Sequence, residues 1–372
     1  MNETDNLDYM NFLINASNLK QGGGIQVAQS ICGELNKYPL HNYILVLSDA
    51  IDVSHIAETD YIEILRYDIK HSLKTVLFGR DQFLDHLVVE KSIDAVLTVF
   101  GPSLWRPRAP HLCGFARAQL LLKDNGYKAT IKERVKQEVW KWLFKKSSDT
   151  FYTENAYISE MLPKALGKVK VYTVTNYYNQ VFDHSEQWLK KRELPEFDGI
   201  TMLSVSSHYP HKNFEIAIGA ARFLKEEHPD FSFRFVLTFD ASEMPVPEEF
   251  KEHFVFIGKV DVTECPYLYE QADIMFMPTL MECFTATYPE AMRMNVPIVT
   301  TDLEFARGLC GKAACFYSAI DARAAAEAIY KVATDEGYSS QLTVYGKEQL
   351  KMYDNYEQRV EKLIKILEQM VK

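Results

Sequence analysis

The chain has 372 residues, 47% hydrophobic and 25% charged, with a formal net charge of −10. That length exceeds one ordinary core, so two domains are expected, and the acidic balance argues against nucleic acid as a partner. The start, "MNETDNLDYM", lacks the basic region of a secretory signal, and no stretch approaches the roughly 18–20 apolar residues of a membrane span. A soluble, cytoplasmic protein is expected, at most peripheral on the inner face of a membrane. Six scattered cysteines (Cys32, Cys113, Cys265, Cys283, Cys310 and Cys315) form no CxxC pair and read as thiols in a reducing compartment. His208 and His211 in "HYPH" are too isolated for a zinc site.

In chain order, "NFLIN" (Asn11–Asn15), "YILVL" (Tyr43–Leu47), "AVLTVF" (Ala95–Phe100) and "KVYTV", ending at Val174, are near-continuous apolar runs. Such runs suit strands buried on both faces of a parallel sheet. Amphipathic stretches such as "IQVAQSICGEL" (Ile25–Leu35) lie between them, so the first half reads as a doubly wound α/β domain. A charged segment, Asp183–Gly199, reads as a linker. The pattern then restarts with "ITMLSV" (Ile200–Val205), "FRFVLTF" (Phe233–Phe239), "FVFIG" (Phe254–Gly258), "DIMFMP" (Asp273–Pro278) and "PIVTTD" (Pro297–Asp302). From about Tyr338 the chain is helical, with a break near "MYDNY". Two such domains imply a cleft at the carboxyl ends of the strands as the default ligand site.

Four stretches could carry chemistry. "NASNLKQGGGIQVAQ" places Gly22, Gly23 and Gly24 between the first strand and the first helix. That is either a flexible turn or a backbone surface that admits an anion; it lacks the GxGxxG dinucleotide pattern. "SVSSHYPHKNFEIAIGA" sets Lys212 just ahead of a helix, as a solvated lysine or a phosphate contact. "TLMECFTATYPEAM" carries Glu282 after a strand and Glu290 in a first helical turn. Thr287 with Glu290 has the spacing of a capping box, so helix punctuation and ligand binding both remain open. The two carboxylates share one segment, which does not suit a hydrolase that flanks a bond. Finally, "KATIKERVKQEVWKWLFKK" (Lys128–Lys146) is a basic amphipathic helix. From Lys123 to Lys146 there are eight Lys/Arg and three Asp/Glu, a balance of 8 − 3 = +5. Its stripe of Ile131, Val135, Val139, Trp142 and Leu143 either packs on the domain or lies on an anionic membrane.

Taken together, "FIGKV", "LYEQADIMFMPTLMECFTATYPEAM", "NVPIVTTD" and "GKAACFY", with "HKN" and the N-terminal "GGG", resemble glycosyltransferase family 4 in order and spacing. The resemblance covers most of the chain and is strongest from Ile200 to Tyr317. It implies a GT-B fold, two Rossmann-like domains facing across a cleft. The domains would span 1–182 and 183–352, with a last helix of about 353–372 packing back on the first. It implies retaining, metal-independent transfer of a hexosyl-type group from a UDP- or GDP-linked sugar to a glycan or lipid-linked acceptor, in cell-surface polysaccharide biosynthesis. No cofactor is implied, since the nucleotide-sugar is a co-substrate and no Asp-x-Asp motif is present.

The resemblance also assigns roles. Glu282 would contact the transferred sugar and Lys212 the leaving diphosphate, as the catalytic pair. Glu290 would hold the ribose. Cys283, Phe284 and Thr285 would face the donor's sugar and diphosphate through the backbone. His211 joins the donor contacts, Gly22, Gly23 and Gly24 close over the diphosphate, and Gly258 and Lys259 line the base pocket. Two departures stand out. Ser207 occupies the place of a family arginine, whose work His208 or His211 would have to share. In "RAPHLCGFARAQ", Phe115 or Ala116 stands near the place of a family histidine that closes a strand, and His111 lies several residues early, so no catalytic histidine carries over, and Arg117 and His111 are the candidates for acceptor contact. The competing classes are a non-catalytic nucleotide-sugar binder and a sugar-nucleotide epimerase of the same two-domain shape.

Overall fold

The structure is a computed structural model that describes residues 9–372 except 55, 71, 123, 124 and 128. The start of the chain and the charges of Lys123, Asp124 and Lys128 therefore lie outside the described residues. The chain divides into two compact units. Unit 1 holds the described residues up to Leu121, with Thr130–Asn176 and Asp354–Lys372; unit 2 holds Leu122–Ala129 and Tyr177–Tyr353.

Among its described residues unit 1 has seven strands: β1 (Asn11–Ala16), β2 (Asn42–Leu47), β3 (Ile62–Arg66), β4 (Ala95–Thr98), β5 (His111–Gly114), β6 (Thr150–Thr153) and β7 (Lys170–Thr173). Between them run helices α1 (Gly23–Glu34), α2 (Leu73–Phe78), α3 (Gln82–Glu90), α4 (Ile131–Ser147) and α5 (Ala156–Leu166). The strands form one sheet in the order β3-β2-β1-β4-β5-β6-β7, and every pairing is parallel. Both faces are covered, which explains the unbroken apolar runs. In β1, Phe12 and Ile14 pack with Ala28, Ile31 and Cys32 of α1. Leu13, between them, packs with Leu84 and Leu87 of α3 and with Trp105. In β2, Tyr43, Leu45 and Leu47 take the first face and Ile44 and Val46 the second.

Unit 2 repeats the design with β8 (Ile200–Ser204), α6 (Ile216–Glu227), β9 (Phe233–Leu237), β10 (Phe254–Phe256), α7 (Cys265–Glu270), β11 (Ile274–Met277), α8 (Thr287–Met294), β12 (Ile298–Thr301), α9 (Glu304–Cys310), β13 (Ala314–Tyr317), α10 (Ala322–Thr334) and α11 (Glu336–Leu350). Its sheet runs β10-β9-β8-β11-β12-β13, again with parallel pairings. The charged segment 183–199 is not a free linker. Leu189 donates its amide to the Thr263 carbonyl at 2.9 Å. Arg192 pairs with Glu264 at 2.9 Å, and Gln271 accepts from the Leu194 amide at 2.7 Å. These bonds hold the segment on unit 2.

After the break near "MYDNY", α12 (Tyr356–Val371) belongs to unit 1. Asn355 and Gln358 form its capping box. Val360, Leu363, Ile364, Ile366 and Leu367 enter the same core as Phe12 and Ile14, and each such burial stabilises by roughly 1.5–3 kcal/mol. Arg359 is buried at the root of α12 and bonds Asn176 and Ser30 at 2.7 Å. Burial raises the nearby Glu154 carboxyl to about 7, against the pull of the Arg359 charge and an Asn176 hydrogen bond.

Candidate functional site

In each sheet the strand order reverses once, and a crevice at the strand ends opens where it does. In unit 2 that point lies between β8 and β11. The segments leaving these two strands carry Lys212 and Glu282. After β8 a short 3-10 turn, Pro210–Lys212, is stopped by Asn213 in the left-handed conformation (φ 55°), which Asn tolerates better than most residues. After β11 the chain is tied to that turn: the Leu280 amide donates to the His211 carbonyl at 2.8 Å, and Thr279 Oγ1 lies 3.4 Å from the same oxygen. Thr301 Oγ1 fixes the Thr279 carbonyl at 2.7 Å.

These ties bring Lys212 Nζ to 2.5 Å from Glu282 Oε1, with both side chains largely buried. Thr279 Oγ1 donates to the same carboxylate oxygen at 3.0 Å. Thr279 was missed from the sequence, although Thr279-x-x-Glu282 has the spacing that was read instead at Thr287 and Glu290. Burial lowers the His211 imidazole, a drop that Glu282 opposes and the Lys212 ammonium adds to. Its ring stacks on Tyr209 with centroids 5.7 Å apart.

The capping-box reading of Thr287 and Glu290 is corrected. Helix α8 has Ala286 at its N-cap with no side-chain cap, and the Glu290 amide already bonds the Ala286 carbonyl at 2.9 Å. Thr287 Oγ1 meets Thr285 Oγ1 at 2.9 Å instead. The Glu290 side chain is buried, with the Tyr269 hydroxyl 3.1 Å from Oε2. Burial pushes its carboxyl up to about 7, against that hydrogen bond. Tyr269 comes from α7, and no local spacing could have announced it. Cys283 and Thr285 are buried, and Phe284 packs edge-on to Tyr353 at 5.9 Å. Among the described residues the amides of Phe284 and Thr285 have no acceptor, so they join the open donors of the α8 start.

Gly258 (φ +69°) admits a Cβ without contact. With Lys259 it follows β10, which β9 separates from β8. Arg192 Nη2 holds the Lys259 carbonyl at 3.0 Å, while the lysine side chain is exposed. Ser207 is exposed, and His208 is engaged by Glu215 at 2.9 Å.

In unit 1 the reversal lies between β1 and β4. The segment after β1 carries Gly22 (φ +80°), Gly23 and Gly24. A Cβ on Gly22 or Gly23 would meet nothing within 4 Å, and one on Gly24 would touch Leu19 and Phe100 at 3.4 Å. Below this loop runs a buried chain of hydrogen bonds. Asn15 accepts from Ser17 Oγ at 2.7 Å and donates to Thr98 Oγ1 at 3.3 Å. Thr98 meets His111 Nε2 at 2.8 Å, and His111 Nδ1 meets the Ser147 carbonyl at 2.9 Å. His111 is thus corrected from acceptor contact to buried rung: both ring nitrogens are used, and burial lowers its pKa to about 4. Arg117 is half-buried, with its guanidinium 3.7 Å above the Trp140 ring.

The two sheets and their strand orders define a GT-B class of fold. Residues 199–335 match the family model of the glycosyl transferases group 1. Sucrose-phosphate synthase from Thermosynechococcus elongatus shares 14% identity over 98% of this chain and 99% of its own, with a TM-score of 0.69. A glycosyltransferase from Rickettsia africae shares 15% over 98% and 99%, at 0.68. An E. coli structure named for trehalose-6-phosphate and bound with UDP-2-fluoro glucose shares 10% over 97% and 99%, at 0.65. No curated protein matches the chain in sequence. Among the described residues no group of three or more His, Cys, Asp or Glu is placed to hold a metal ion, and no helix is long and apolar enough to cross a membrane.

Proposed function

We propose that the chain is a retaining glycosyltransferase that moves a sugar from a UDP- or GDP-linked donor to a glycan or lipid-linked acceptor in surface polysaccharide or glycolipid synthesis. The observation that carries this reading is the Lys212–Glu282 pair, which sits at the reversal of the unit 2 sheet inside the segment that matches the group 1 glycosyl transferases. A nucleoside-diphosphate sugar fits the neighbour whose name carries UDP-2-fluoro glucose.

The chemistry needs negative charge stabilised on the departing diphosphate, and a group that does so only as charge develops lowers the barrier directly. Lys212 supplies the ammonium, and the free amides of Phe284 and Thr285 extend the same field, so no metal is required by this scheme. Glu282 accepts a sugar hydroxyl, which fixes the anomeric carbon against the side from which the diphosphate leaves. The acceptor hydroxyl attacks from that same side as the anomeric carbon–diphosphate oxygen bond breaks, and its proton passes to the departing diphosphate oxygen, so the configuration is retained. Glu290 accepts from the ribose hydroxyls, and His211, kept neutral by burial, offers a hydrogen bond without adding charge. Within unit 1, Gly22, Gly23 and Gly24 offer bare backbone to an anion.

A thermal-shift screen with UDP, GDP and their sugars, followed by donor-hydrolysis and transfer assays on acceptor extracts, tests this reading. Binding by any of these ligands raises Tm by mass action. A protein that shifts with none of them and releases no nucleotide from any donor would end it. Ser207, exposed where the family arginine stands, and His208, held by Glu215, favour a second reading as a non-catalytic donor binder; tight binding without turnover is its signature.

A further inference from the structure

We infer that the uncovered face of α4, with the adjoining edge of α2, is a docking surface for an anionic lipid bilayer. The sequence left two fates for the apolar stripe of α4, packed or free, and the structure leaves most of it free. Phe144 and Ser147 point into unit 1, and Trp140 lies under Arg117. On the opposite side Ile131 is 83% exposed, Val135 61%, Val139 51% and Trp142 46%. At 3.6 residues per turn these four fall within an arc of about 80°. The stripe is continued by Leu77 and Phe78 of α2, 50% and 69% exposed. Lys146 links the two helices, donating to the Val76 carbonyl at 2.6 Å.

Exposed basic residues flank the stripe on both sides: Lys132 and Lys136 on one, Arg134 and Lys145 on the other. Residues 131–147 hold six Lys/Arg and two Glu, 6 − 2 = +4, in a chain of net charge −10. Both glutamates are engaged locally, Glu133 with Thr130 and Glu138 with Lys141. An acidic protein would be repelled by an anionic surface unless it presented such a face. Charge and shape together select the occupant. An anionic bilayer takes the lysines at its headgroups and the valines, tryptophan and Phe78 at the acyl boundary. A second copy docked face to face would set +4 against +4, and nucleic acid has no use for the apolar stripe. Residues 131–147 and 73–78 belong to unit 1, and Lys212 and Glu282 to unit 2, so the surface can be tested without touching the proposed chemistry.

The test is flotation of the full chain with phosphatidylcholine vesicles and with vesicles that also contain phosphatidylglycerol, at low and moderate salt. Binding is expected only to the anionic vesicles and should weaken with salt. Each basic residue near such a surface is worth about fivefold in affinity, so Lys132→Gln/Lys136→Gln/Lys145→Gln should lower binding on the order of 100-fold. Val135→Ser/Val139→Ser/Trp142→Ser should also weaken it, and circular dichroism of both exposed-site variants should match the parent. A parent that fails to float with anionic vesicles overturns the inference, as does a triple-Gln variant that floats equally well. A dimer in sedimentation that the serine variant dissolves, with no vesicle binding, would assign the face to a second copy instead.

Discussion

The two sheets reverse their strand order in the same way, but the two reversal points are furnished differently. In unit 2 the segments after β8 and β11 carry a buried ion pair, a neutral imidazole and a protonatable carboxyl. In unit 1 the segment after β1 offers three glycines above an uncharged hydrogen-bonded chain of Asn15, Thr98 and His111. One topology can therefore present a ligand with side-chain charge or with bare backbone, and the choice rests on a few loop residues. The charged point needs partners to hold it together; the glycine point needs only empty space.

That contrast can be broken experimentally, and the largest effect is expected at the charged point. Lys212→Ala should lower the transfer rate on the order of 10²–10³-fold. It should also destabilise unit 2 by about 3–5 kcal/mol, because Glu282 is left buried without its cation. The isosteric pair Lys212→Met/Glu282→Gln should regain most of that stability in a urea melt while remaining inactive. Recovery of both together would show that the pair is only structural.

Next in size is Glu290. Its native pKa, about 7, lies above the ordinary carboxyl value, so the native state binds a proton that the unfolded state has lost. Its contribution to stability is full below about 4.3 and disappears as pH rises through 7. Glu290→Gln should therefore stabilise the protein at pH 8 by roughly 2–3 kcal/mol, with little gain at pH 4. Ribose hydroxyls would favour the charged form, so nucleotide binding to the parent should release a proton and strengthen between pH 5 and about 7. Calorimetry in two buffers of different ionisation enthalpy checks this, and the Gln variant should show no release. Equal proton release in parent and variant would remove Glu290 from the nucleotide site.

At the uncharged point the effects shrink. His111→Ala should cost about 1–3 kcal/mol, the penalty for unpaired buried partners, and leave KM for any acceptor unchanged. A raised KM at unchanged stability would restore its acceptor role. Smallest is Gly23→Ala. The added methyl meets nothing within 4 Å, and alanine favours a helix start over glycine by up to about 1 kcal/mol. Stability should hold or rise slightly, while donor affinity falls a few-fold if the diphosphate approaches the backbone there. An unchanged Kd would make the glycines a plain turn.

The repeated α/β pattern was legible because both faces of each sheet are buried, which turns β1, β2 and β8 into continuous apolar runs. The strands β3, β5, β6 and β13 were not picked out from local pattern. "IEILR" interrupts its run with charge, and "HLCG" hides a polar rung inside the sheet. Glu282 and Lys212 were legible as strand-end residues, and the structure brings them together. Their pairing through Thr279, and the meeting of Glu290 with Tyr269, depend on loops that approach only after the sheet has formed. The Thr287-x-x-Glu290 spacing misled because α8 takes Ala286 as its cap, one residue earlier than the spacing implied. Periodicity grouped Ile131, Val135, Val139 and Trp142 on one face of α4, but a period cannot say whether a face turns inward or outward.

Helix α12 gives the molecule an order of assembly. Unit 1 supplies the first strand, yet part of the core around Phe12 and Ile14 is filled by Val360, Leu363 and Leu367. A ribosome delivers those residues only after all of unit 2 has been made. The first unit to begin is therefore the last to be finished, and unit 2 can complete its own core while unit 1 still waits for its final helix. A stop codon directly after Tyr353 would leave unit 2 with all of its residues and unit 1 with an open flank, so the lesion would fall in the unit whose strands were made first.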